Sequence, residues 1–168
     1  MPALTSMQLP GSEVCDAPST STLLVADGSC PFIRQLLAHA ETPVLWLQAG
    51  EEALSLVTSA LAERRRRGVP VQTLHWVSHG SPGQLNLGRS RINSSTLLAN
   101  AHRLASWDIS SLALWSCHAG ADTSFIALFE ELTGATVWST SDALGRLNNG
   151  SSHWTLETKN TNGAATLQ

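Results

Sequence analysis

Apolar residues in this chain fall in short, unalternating runs separated by stretches with helical spacing. The first run is Thr22-Leu-Leu-Val-Ala, and it stops at Asp27-Gly28. A continuous apolar run closed by a turn marks a buried strand. Pro31 then opens a helix over FIRQLLAHA, with Phe32, Leu36 and Leu37 expected on its apolar face. Pro43 leads into a second buried strand, VLWLQ, ended by Ala49-Gly50. Glu51-Glu52 start a long helix whose apolar residues are Leu54, Leu56, Val57 and Leu61. Its acidic start and its Arg64–Arg67 finish complement the helix dipole, and Gly68 and Pro70 stop it.

The third strand lies in VQTLHWVSHG and runs into His79-Gly80. GQLNLGRSRI alternates leucines with polar residues around Gly88-Arg89, which predicts a small hairpin outside the core. Asn93 or Ser94 caps a helix through Leu97, Leu98, His102 and Leu104. Ser111 to Trp115 is the fourth strand. Asp122-Thr123 start a helix that Gly134 closes, and Ala135 to Ser139 is the fifth strand. A Gly/Asn-rich turn at Leu147–Gly150 leads to a last strand, His153 to Thr158. Strands alternating with helices at this spacing predict a three-layer α/β/α sandwich with a mostly parallel sheet. The first strand should lie beside the third. Residues 1–21, rich in Ser, Thr and Pro, read as a flexible leader, residues 22–158 as the domain, and residues 159–168 as a polar, frayed tail.

Composition narrows the function classes. With 168 residues, 42% of them hydrophobic and 14% charged, the chain has apolar material for one sizeable core. A net charge of -3 is a poor match for nucleic acid. The longest stretch without a charge, Gly68 to Gly88, holds Gln72, His75, His79 and Asn86, so no membrane span is expected. The first residues lack the basic start and apolar run of a signal peptide. A cytoplasmic location, or export by a route that leaves the N-terminus alone, is the expectation. Cys15, Cys30 and Cys117 are an odd number without C-x-x-C spacing, which is not a disulfide framework.

Ligands of open α/β sheets bind beyond the carboxyl ends of the strands. There the first strand carries Asp27, the third His79-Gly80, the fourth Cys117-His118, and the fifth Ser139 to Asp142. An imidazole beside a thiol can take its proton and pass it to a leaving group. The interval from His79 to Cys117 fits a hairpin, a crossover helix and the return strand, which brings the two side by side. Zinc is the weaker reading, since Cys117 and His118 are adjacent and His75 lies inside a strand. No metal or cofactor is therefore expected, and His75, His102 and His118 read as structural or surface histidines. Cys30 reads as packing with a lesser claim to reactivity, and Arg64–Arg67 as a solvated helix end. There is no G-x-S-x-G, no G-x-G-x-x-G and no P-loop lysine.

Strands ending in Ser78-His79-Gly80 and then in Cys117-His118-Ala119-Gly120 resemble the caspase, metacaspase and gingipain group of cysteine peptidases. A wider pattern is similar to a bacterial domain of unknown function near the start of large cadherin-like or calcium-repeat surface proteins. It comprises Asp27, Ser78 to Gly83, the Leu85 to Ile92 hairpin, Cys117, Leu132 to Ala135 and Trp154 to Glu157. The resemblance implies a caspase-like fold with Cys117 as nucleophile and His79 as proton carrier. It also implies an oxyanion hole from the backbone N–H groups of Gly80 and Cys117. Members that cut after Arg or Lys carry an acidic residue where Asp27 stands, and Asp142 could add a second carboxylate. The implied partner is a peptide or protein substrate, and the activity that of an endopeptidase, possible self-processing included. A non-catalytic interaction or assembly module with an idle dyad is the alternative. Trp115 departs from the peptidase group, which has a polar residue two positions before its Cys.

Overall fold

Each apolar run of the sequence becomes a strand of one parallel sheet, because a strand covered on both faces has no side left for polar residues. The computed structural model describes residues 21–48, 52–87, 90–146 and 152–158, together with short strands at 7–8 and 164–167. The first half of the chain runs β1 (Met7–Gln8), β2 (Thr22–Asp27), α1 (Pro31–Leu36), β3 (Val44–Leu47), α2 (Ala53–Arg66) and β4 (Thr73–Val77). It continues with β5 (His79–Ser81), β6 (Gln84–Leu87), β7 (Ser90–Ile92), α3 (Ser94–Ala99), α4 (Ala101–Ala105) and β8 (Ser111–Trp115). Last come α5 (Thr123–Thr133), β9 (Thr136–Trp138), β10 (Gly145–Arg146), β11 (Ser152–His153), β12 (Thr155–Glu157) and β13 (Ala164–Leu167).

The central sheet has the order β3-β2-β4-β8-β9, and every pair in it is parallel. β2, the first strand to enter it, lies beside β4, the third, as the element order predicts. Successive side chains point to opposite faces, so each strand feeds two cores. Leu23, Val25, Leu74, Trp76, Leu112 and Leu114 pack on one face with the apolar sides of α2 to α5. Leu24, Ala26, Val77, Ala113 and Trp115 pack on the other with Ile33 and Leu37 and with Trp154 and Leu156. The result is an α/β fold with helices on both faces of a mostly parallel sheet; among the described residues α1 is the helix on one of them, beside Trp154 and Leu156.

Four details differ from the sequence expectation. The buried residues of α1 and its end are Ile33 and Leu37, while Phe32 is 44% exposed. In so short a helix the i, i+4 pair meets the sheet, and Phe32 is turned about 100° away. Leu98 is 60% exposed, and the expected single helix is broken at Asn100 into α3 and α4. The hairpin is a three-stranded antiparallel sheet, β5-β6-β7, and it belongs to the core. Its alternation puts Leu85, Leu87 and Ile92 on one buried face, joined to the helix-side cluster. The last strand is divided at Trp154 into β11 and β12.

Within the stretches read as leader and tail, β1 and β13 are strands that pair antiparallel, and β13 also pairs with β12. Cys15 and the turn at 147–150 lie outside the described residues. Among the described residues no helix is long and apolar enough to cross a membrane.

Candidate functional site

The strand order reverses between β2 and β4. The helix after β2 covers one face of the sheet, and the helices after β4 cover the other. Such a switch point opens a crevice at the carboxyl edge. Three turns meet there, following β2, β4 and β8.

The turn after β2 is set by its own carboxylate. Asp27 is buried, and its Oδ1 accepts from the Ser29 backbone N–H at 2.9 Å and the Ser29 hydroxyl at 2.5 Å. The Asp27 carbonyl accepts from Cys30 N–H at 3.4 Å. Gly28 donates to the Leu47 carbonyl at 2.7 Å, and a Cβ at Gly28 would stand 2.9 Å from that same oxygen. Arg34 Nε donates to the Gly28 carbonyl, and its guanidinium lies over the Trp46 ring at 5.0 Å. Asp27 thus orders the Gly28-Ser29 turn.

The ends of β4 and β8 are tied by buried hydroxyls. Ser78 Oγ accepts from Trp76 Nε1 at 3.1 Å and donates to the His79 carbonyl at 2.9 Å. That uses its one proton, so Ser116 Oγ donates in the 3.1 Å contact between the two hydroxyls. Ser78 N–H also donates to the Trp115 carbonyl at 3.4 Å. Val77 pairs with Trp115 in the parallel register, so His79 and Cys117 follow at equal steps beyond adjacent strands. A Cβ on Gly80 would meet Ser116 Cβ at 2.8 Å and the Cys117 carbonyl at 2.9 Å. Only a residue without a side chain lets the two backbones come this close.

Cys117 is half-buried, and its sulfur accepts from the Leu144 backbone N–H at 3.2 Å. His118 has φ 60°, the left-handed region that bulky residues rarely occupy. The segment 140–144 holds it there: His118 N–H donates to the Asp142 carbonyl at 2.9 Å, and Gly120 N–H to the Thr140 carbonyl at 2.8 Å. The His118 ring reaches the Ser141 carbonyl at 3.0 Å. Asp142 is exposed, and its own N–H donates to Thr140 Oγ1 at 3.1 Å.

The exposed His79 contacts a different thiol. Its Nε2 lies 3.4 Å from Cys30 Sγ, and no hydrogen bond joins His79 to Cys117 among the described residues. Cys30, His79 and Cys117 therefore follow three neighbouring strands, with the imidazole on the middle one. Cys30 packs against the α1-side core as expected, and its contact with His79 is the feature the sequence reading missed. The usable signal was the place of Cys30 three residues beyond the first strand, combined with the expected adjacency of first and third strands.

Two further residues have defined roles. His75 is buried on the α1 side of the sheet, and its Nδ1 accepts from Trp115 Nε1 at 3.1 Å. Burial lowers its pKa from 6.5 to about 4, so it is neutral near pH 7. Trp115 accordingly points into the core and not toward the crevice. Asp122 Oδ1 caps α5 through Ser124 and Phe125 N–H, and also accepts from the Ser124 hydroxyl. The Ser124 hydroxyl, then these N–H groups, hold the Asp122 carboxyl below its ordinary range. Among the described residues no three His, Cys, Asp or Glu side chains converge to hold a metal ion.

No curated protein matches the chain. A family model described as a domain of unknown function, DUF4347, matches residues 23–168, and the chain belongs to that family.

Proposed function

We propose that the protein is a cysteine endopeptidase in which Cys117 is the nucleophile and His79 the proton carrier. The observation that carries this is the in-register placement of His79 and Cys117 beyond two adjacent parallel strands, with Gly80 packed against the Cys117 carbonyl. The resemblance of Ser78-His79-Gly80 and Cys117-His118-Ala119-Gly120 to the caspase group agrees with it. In the reaction the Cys117 sulfur attacks the scissile carbonyl as its proton passes to His79. The C–N bond then breaks, and the departing amine takes that proton. Water hydrolyses the thioester, with His79 again as base, and restores the thiol. Backbone N–H groups of Gly80 and Cys117 are the oxyanion donors in this reading.

A basic residue before the cut is the preferred substrate, with Asp27 and Asp142 as carboxylates for its charge. The turn role of Asp27 competes with this assignment. The test is a panel of fluorogenic peptides differing only at that residue, assayed with the unaltered protein and with Cys117→Ala and Asp27→Ala. Turnover lost in Cys117→Ala, with a selective loss on Arg and Lys peptides in Asp27→Ala, is the expected result. Equal losses on basic and neutral peptides would make Asp27 purely structural.

One observation favours a second reading, a non-catalytic interaction module. His79 touches Cys30, and the Cys117 sulfur is engaged by Leu144 N–H. Absence of turnover on every peptide, together with slow labelling of Cys117 by a peptide electrophile, would select that module.

A further inference from the structure

We propose that Cys30 is a modification site for hydroperoxides, served by the same imidazole, and that its oxidation keeps His79 away from Cys117. The geometry carries it: Cys30 Sγ and His79 Nε2 are 3.4 Å apart, on turns after adjacent strands, with Cys30 half-buried and His79 exposed. The pair sits at the switch point of the sheet, beyond the carboxyl ends of β2 and β4, with the imidazole open to solvent. The consequence for turnover rests on the peptidase reading; the modification itself does not.

The step balances with a hydroperoxide as the named oxidant. The thiol sulfur attacks the terminal peroxide oxygen, and an S–O bond forms as the O–O bond breaks. Sulfur loses two electrons and the peroxide gains them. His79 Nε2 takes the thiol proton and returns it to the leaving oxygen, which departs as water or an alcohol. The product, Cys30 sulfenic acid, is the first and reversible rung of thiol oxidation, and a second thiol restores it. Its new oxygen faces the His79 ring and holds the imidazole on the β2 side of the crevice. Cys117 then has no base. The Cys117 sulfur has its own backbone N–H partner, so the two thiols differ in what they offer an oxidant.

The experiment treats the full chain with stoichiometric hydrogen peroxide. Sulfenic acid is trapped with a cyclic 1,3-dione, and each cysteine peptide is followed by mass spectrometry. Cys30 is expected to trap at least about tenfold faster than in His79→Ala, and free imidazole in the buffer should restore much of the rate. His79→Gln, which keeps a polar side chain at this exposed position, should be as slow as His79→Ala. Cys117→Ala should trap at Cys30 as fast as the unaltered chain. A Cys30 rate indifferent to His79 and to imidazole would overturn the proposal, as would oxidation confined to Cys117. Trapping at Cys30 without turnover on any peptide would sink only the peptidase reading. Turnover with Cys30 inert would sink only this one.

Discussion

The turn after β2 and the turn after β8 each present a thiol to the same crevice, and they hold it by different means. Cys117 is fixed through main chain: its sulfur accepts from Leu144 N–H, and its neighbours His118 and Gly120 bond to the carbonyls of Asp142 and Thr140. Cys30 is met by another side chain, the imidazole of His79, and its turn is shaped by the Asp27 carboxylate. A backbone amide is fixed by the fold, whereas an exposed side chain can change rotamer. The difference teaches that one sheet edge can hold one thiol in a fixed place and leave the other with a partner that can move.

The sharpest way to break this comparison is to remove each sulfur in turn. Under the proposed peptidase reading, Cys117→Ala should lower kcat/KM on a good peptide by on the order of 10³-fold or more, because it removes the proposed nucleophile. Cys30→Ala should change it by less than about tenfold. Similar losses in both variants would erase the distinction between the two turns.

The next largest effect is on stability, through His75. Its folded pKa is about 4 against an ordinary 6.5, so the unfolded chain takes up a proton first as pH falls. The stabilisation is complete above pH 6.5 and declines down to about pH 4, by about 3 kcal/mol in all. Protonation at Nδ1 also ends the bond from Trp115, two residues before Cys117. Urea midpoints between pH 7.5 and 4.5 should fall, and His75→Gln should flatten that slope. In the same series, the ratio of the Cys117 alkylation rate to that of Cys30 should rise.

Gly80→Ala tests the packing that joins the β4 and β8 ends. Its Cβ would stand 2.8 Å from Ser116 Cβ, so one backbone must give way. A loss of about 2 kcal/mol is expected, seen as a Tm lower by about 4–8 °C. Hydrogen exchange should quicken around Ser116-Cys117 and not around Gly28-Ser29. The smallest effect belongs to Ser29→Ala, which removes one hydrogen bond to Asp27 Oδ1. It should cost about 1 kcal/mol and alter the alkylation rate of Cys30 while leaving that of Cys117 unchanged.

The sheet was legible in the sequence because β2, β4 and β8 are buried on both faces, and such strands announce themselves as unbroken apolar runs. Their polar exits, Asp27, His79 and Cys117, were legible for the same reason: each is where a run stops. Other features depend on what packs against them. The alternation of Leu85, Leu87 and Ile92 specifies one apolar face, but only the fold decides that the helix-side core covers it. The buried side of α1 depends on the angle at which Pro31 launches a six-residue helix, which periodicity does not fix. The Leu144 N–H that engages Cys117 comes from 27 residues downstream, in a segment with no pattern of its own. The contact of Cys30 with His79 spans 49 residues and exists only because the first and third strands are neighbours.

That last span bears on the order in which the chain can fold as it is synthesised. β2 and β3 are close in sequence and can pair early, but β4 must add to the free side of β2, and β8 to the free side of β4. Non-local parallel closures of this kind form slowly, after the loop entropy between them has been overcome. Slow as that closure is, Cys30 and His79 both precede Cys117 in the chain and can meet while Cys117 is still unmade. The segment that engages the Cys117 sulfur is made later still. A growing chain acquires the third turn of the crevice last, so an unfinished one carries no complete site.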